Sequence, residues 1–202
     1  MQFRDITLDT ATLYTLKENE VDVFFMLNRD GEIVFDLAGP GAKAHIFALF
    51  VEKDAEKNLS LTQQHSARDT GSHATVRSVI GNAGAVHYTG LIRIEENAVR
   101  SDASQESRAL LLASGAKHST KPSLEILPKD VVCHHKASAT PLNNDSLFYL
   151  ESRGLNRKDA TAVLVNGFLS TTFEAMRDVV VAEESLSALE QNVLSQLLEL
   201  YA

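Results

Sequence analysis

The sequence of 202 residues holds one cysteine, no tryptophan and four prolines. A single thiol excludes an internal disulfide framework and fits a reducing compartment. No apolar run approaches 18 residues, which excludes a transmembrane helix. The start, Met1-Gln2-Phe3-Arg4-Asp5, lacks the basic-then-apolar plan of a secretory leader. Basic residues are also scarce. With 19 Lys and Arg against 27 Asp and Glu, the net charge is −8. Such a surface does not replace phosphate counterions, which argues against nucleic-acid binding. A Gly-x-x-x-x-Gly-Lys-[Ser/Thr] phosphate loop and a Gly-x-Ser-x-Gly turn are both missing, so neither ATPase nor serine hydrolase chemistry is expected. The expectation is a soluble, cytoplasmic, non-enzymatic protein with no nucleic-acid or membrane partner.

What is present first reads as short β elements. Val21–Leu27 and Ile33–Leu37 are rich in β-branched and aromatic residues and flank the turn signal Asn28-Arg29-Asp30-Gly31. His45–Val51 is a continuous apolar run, and Leu59–His65 alternates with period two, as a half-buried strand does. From about residue 70 to 138 short strands recur with no room for a crossover helix. Gly84-Ala85-Val86-His87-Tyr88-Thr89 returns 31 positions later as Gly115-Ala116-Lys117-His118-Ser119-Thr120. With one residue inserted, Leu91–Ile94 then matches Ser123–Ile126. Repetition without helices predicts the stacked coils of a β-solenoid. On that alignment His87 and His118 stack on each other. His45, His65 and His73 are scattered and carry no ligand spacing.

The texture changes at Pro141, dividing a core domain at 1–140 from a helical region at 141–202. Asn144-Asp145-Ser146 is placed to cap a short helix that ends at Gly154, and Asn156 to cap a second bearing Ala160, Val163, Leu164 and Phe168. A third, over roughly 179–200, puts Leu186, Leu189, Val193, Leu197 and Leu200 on one side. No Lys or Arg follows Arg177, while Asp178, Glu183, Glu184, Glu190 and Glu199 remain. These form either a solvated face or an acidic docking surface.

The only thiol sits in Asp130-Val131-Val132-Cys133-His134-His135-Lys136. In a strand, residues two apart share a face, so Cys133 pairs with His135, while His134 turns to the other side. Thiolate and imidazole both bind iron well. A nearby protonated histidine is expected to lower the thiol pKa. The alternative is a small buried hydrophobe beside a satisfied core histidine.

Five pieces in order resemble the SufB/SufD family of iron–sulfur cluster assembly proteins. They are Asp102-Ala103-Ser104-Gln105 with Leu110-Leu111-Leu112, Thr120-Lys121-Pro122-Ser123-Leu124-Glu125-Ile126, Asp130-Val131-Val132-Cys133-His134-His135, Leu147–Gly154, and Gly167-Phe168. The resemblance implies a right-handed parallel β-helix followed by a small C-terminal α-helical region. It also implies pairing through the β-helices near Cys133, as a homodimer or a SufB/SufD-type heterodimer, and a SufC-type ATPase docked on the C-terminal helices. Cys133 and His135 become the candidate ligands for an iron–sulfur cluster or iron, and two chains meeting there supply four ligands. The sequence is shorter than typical members. It carries Lys136 after the motif, and it lacks the further cysteines and the helical glutamate of scaffold members. The leading expectation is a non-catalytic assembly component acting with that ATPase. The alternative is a reduced β-solenoid interaction module that dimerises and docks partners without building a cluster. A sugar-acting enzyme would need paired carboxylates across a groove, and Asp102 and Glu125 are only acidic residues on strands.

Overall fold

The computed structural model describes residues 1–180 and 183–200, with the side chains of 183–185 and 198–199 outside the description. Eleven strands precede three helices: β1 (Gln2–Asp5), β2 (Leu13–Leu16), β3 (Val21–Leu27), β4 (Gly31–Leu37), β5 (Lys43–Glu52), β6 (Glu56–His65), β7 (Gly71–Ile80), β8 (Ala85–Ile94), β9 (Asp102–Leu111), β10 (Lys117–Ile126), β11 (Val132–Pro141), α1 (Asn144–Ser152), α2 (Arg157–Val179) and α3 (Glu183–Leu200). Odd-numbered strands stack in one sheet, β1-β3-β5-β7-β9-β11, and even-numbered strands in the other, β2-β4-β6-β8-β10. Every recorded pairing is parallel. The chain therefore winds as a solenoid, two strands to a coil, as the repeat predicted, with its small helical region at the C-terminal end.

The two sheets bury their faces differently, and the sequence pattern follows. The outer face of the odd-strand sheet carries Phe25, Phe47, Leu49, Val51 and Val79, which pack under Val165, Leu169, Phe173 and Met176 of α2 and Leu189, Val193 and Leu197 of α3. Strands buried on both sides read as unbroken apolar runs, which β3 shows from Val23 to Leu27 and β5 from Ile46 to Val51. The even-strand sheet faces solvent, and β6 alternates accordingly.

Inside, the first coils are filled by aromatic packing. Phe35 lies 4.8 Å from Phe24 and 5.3 Å from Tyr14, ring centre to centre. Arg29 closes that end, its guanidinium donating to the Ile6 and Ala11 carbonyls and to the Tyr14 hydroxyl. One corner demands glycine: a Cβ on Gly39 would lie 2.0 Å from the Glu18 backbone nitrogen. Further along, the lumen turns small and polar. Buried His65 bonds Thr70 Oγ1 through Nδ1 (2.7 Å) and Ser72 Oγ through Nε2 (2.8 Å), and Gln63 donates to the same Ser72 hydroxyl. Burial pushes the His65 imidazole down to about 4.

Two local expectations shift. The cap of α1 is Asn143, one residue earlier than the predicted trio, accepting from the Asp145 and Ser146 amides. Asn156 caps α2 as expected, and Asp159 is spent there, bonded to Asn156 through backbone and side chain. Of the acidic surface, Glu190 pairs with Arg177, whereas Glu183, Glu184 and Glu199 lie outside the described side chains.

Candidate functional site at the open end of the solenoid

Strands β10 and β11 end their sheets, so each leaves one edge without a strand partner. The alternation of β11 turns Cys133, His135, Ala137 and Ala139 toward the lumen, in register with Ala103, Gln105, Ser107 and Ala109 of β9. Cys133 is half-buried and packs against Ile92, Ile94, Ala98 and Ala103. His135, one step further along, is exposed because no later coil covers it. His134 points outward beside Ser104. The predicted pair thus shares one face of the last strand, though no recorded hydrogen bond joins the two side chains.

Three features of the site were not visible in the sequence. The Cys133 thiol is pushed up rather than down: burial is the main cause, and the Asp102 carboxylate on the neighbouring strand adds to it. The expected lowering fails because, among the described residues, no positive charge acts on the sulfur. Beneath His135, the side chain of Gln105 crosses the lumen toward β8, where Gly90 makes room; a Cβ there would lie 2.2 Å from Gln105 Nε2. Gln105 is 2% exposed and its Oε1 has no hydrogen-bond partner. An orphaned acceptor therefore sits one rung below the imidazole.

His118 also differs from expectation. The register pairs it with Val86 and pairs His87 with Ser119, 32 positions apart, where Nδ1 meets the hydroxyl at 2.7 Å. The extra residue of this coil falls before the strand rather than within it, so the two histidines face opposite sides of the sheet. His118 is half-buried with both ring nitrogens unpartnered, and burial lowers its basicity. Among the described residues no group of three or more His, Cys, Asp and Glu side chains is placed to hold a metal ion. Cys133 and His135 are two inward ligands on an open rung, short of a closed set.

Residues 26–168 match the family model described as the SUF system FeS cluster assembly, SufBD core domain. The chain belongs to the SufBD family. The match begins at Met26, far ahead of Asp102, where the sequence motifs of the family begin. Among curated relatives, the chain is 29% identical over 130 residues to the iron–sulfur cluster assembly protein SufD of Escherichia coli K12, covering 64% of this chain and 31% of that protein. It is 31% identical over 134 residues to a SufBD family iron–sulfur cluster assembly protein of Mycobacterium tuberculosis H37Rv, covering 66% and 16%. A Staphylococcus epidermidis SufBD family protein is 28% identical over 134 residues, covering 66% and 29%. The chain thus spans about a third or less of the length of these relatives. No helix among the described residues is long and apolar enough to cross a membrane.

Proposed function

We propose that this SufBD chain is a non-catalytic, cytoplasmic component of iron–sulfur cluster assembly whose residues 1–140 pair with a second SufBD chain and whose residues 141–202 dock a SufC-type ATPase. The nascent cluster, or iron destined for it, is its cargo, held by Cys133 and His135. The observation that carries the reading is the placement of these two side chains on the lumen face of β11, the last strand of its sheet. An unpaired strand edge is a template for another strand, and Leu124, Ile126 and Val132 are exposed along this end. A homodimer or a SufB/SufD-type heterodimer joined there doubles the ligand set to four. Anaerobic reconstitution of the assembled complex with iron and sulfide is expected to give visible cluster absorption that Cys133→Ala abolishes. Equal absorption in the variant would sink the site assignment.

The helical surface supports the docking half of the reading. Phe148 and Tyr149 on α1 and Val163 on α2 are exposed beside a groove lined by Ser146, Leu150 and Leu164. Exposed apolar side chains at a groove mark a partner surface. Because α2 and α3 also cover the odd-strand sheet, point changes test docking more cleanly than deletion of the helices. Phe148→Asp is expected to abolish co-purification with the ATPase while leaving the far-UV spectrum unchanged; retention would refute docking at α1. The second reading, a pairing and docking module that builds no cluster, is supported by the single cysteine of the sequence. It predicts a dimer and ATPase binding with no cluster absorption at all.

A further inference from the structure

The outer face of the odd-strand sheet brings together histidines that lie far apart in the chain. Successive strands place Val23, His45, His73, Ser104 and His134 side by side in one row. His45 and His73 are direct partners on β5 and β7, both half-buried, with ring centres 5.5 Å apart and planes 33° from parallel. We propose that His45 and His73 form a two-histidine site for an exchangeable divalent first-row transition ion, separate from the lumen pair Cys133 and His135.

The separation suits a shared ion. With metal–nitrogen bonds of about 2.1 Å, each ring centre lies about 3.2 Å from the metal, and two rings at a tetrahedral angle have centres about 5.2 Å apart. Ser104 Oγ holds His73 Nδ1 at 2.8 Å, which leaves Nε2 as the ligand atom and fixes the ring, as hydrogen bonds to metal-bound imidazoles usually do. No hydrogen bond engages the His45 ring among the described residues. Lys43 works against the bound cation, and Asp102, across Gly71 in the adjoining row, works for it. Two imidazoles without thiolate favour zinc, nickel or copper. The remaining positions are open to water or to an incoming ligand. His134 lies two strands beyond His73, about 9.6 Å away at ordinary strand spacing, too far to share the ion.

The test uses the untagged 202-residue chain carrying Cys133→Ala and His135→Ala, so that the lumen pair contributes nothing. Calorimetric titration with nickel is expected to show one saturable equivalent, weakened at least tenfold by His45→Ala or His73→Ala, several-fold by Ser104→Ala, and unchanged by His134→Ala. In the otherwise unaltered chain, nickel is expected to raise the melting temperature, and His45→Gln to remove that rise while Cys133→Ala keeps it. Absence of saturable binding, or binding that survives both His45→Ala and His73→Ala, overturns the site.

Discussion

Acidification from pH 7 to pH 4 is expected to cost the fold about 3 kcal/mol through His65 alone. The residue is fully buried, and its two ring nitrogens are both engaged. Gln63 donates to Ser72 Oγ, which directs the serine proton to His65 Nε2, while Nδ1–H donates to Thr70 Oγ1. The pocket is thus satisfied by neutral imidazole. A second ring proton would face the serine hydroxyl proton and carry charge into the lumen. Burial accordingly takes the ring from 6.5 to about 4. The unfolded chain binds the proton first, so the stabilisation is intact above pH 6.5, declines as pH falls toward 4, and is gone below it. Each unit of separation is worth about 1.4 kcal/mol. Burial lowers His45 and His118 in the same direction, so total acid sensitivity is not the readout. The assay is urea unfolding of wild type and His65→Gln across that range. The gap between their stabilities should shrink by about 3 kcal/mol from pH 7 to pH 4. A gap that stays constant, or an NMR titration of His65 with a midpoint above 6, refutes the neutral-histidine account.

Other outcomes follow from packing and chemistry. Phe35→Ala removes one of the three rings of the aromatic cluster and should cost about 3–5 kcal/mol in denaturant unfolding; a loss under about 1 kcal/mol would contradict the packing described. Gly39→Ala sets its Cβ against backbone and should cost about 2–4 kcal/mol. Gly167→Ala, in α2 with nothing within 4 Å of its Cβ, should instead stabilise by about 0.5–1 kcal/mol. Melting curves of the two glycine variants separate steric need from chance. The Cys133 thiol of the isolated chain should react with iodoacetamide more slowly at pH 7 than a free cysteine, speeding only well into the alkaline range. Faster reaction would mean the thiol is activated rather than buried.

The solenoid was legible because His45–Val51 and Leu59–His65 carry the two signatures of its sheets, and because one coil repeats closely enough to see. Where the repeat was read too literally, the register moved: the extra residue between β8 and β10 falls in the corner, and His118 separated from His87. The same long-range pairing hid His45 and His73. No local spacing reports that residues one coil apart are neighbours, and the intervening strand β6 has no histidine at a matching place to suggest it. Cys133 and His135 were legible as a pair from strand alternation alone. The environment was not. Thiol burial, the Asp102 field and the Gly90 gap for Gln105 all depend on which residues the neighbouring coils deliver, and sequence order does not state that.

The change of filling along the lumen has a consequence for how the molecule holds together. Stacked coils touch only their neighbours, so stability accumulates along one axis. The aromatic coils form a firm root. The later ones, with Ser78, Ser107 and Gln105 bearing unpartnered polar atoms inside, bind each other more loosely and end on an uncovered rung. Amide exchange should therefore run fastest in β10 and β11 and slow progressively toward β3. A chain seated on that rung would halt fraying where it begins, so assembly would be recorded as protection spreading backward through the coils.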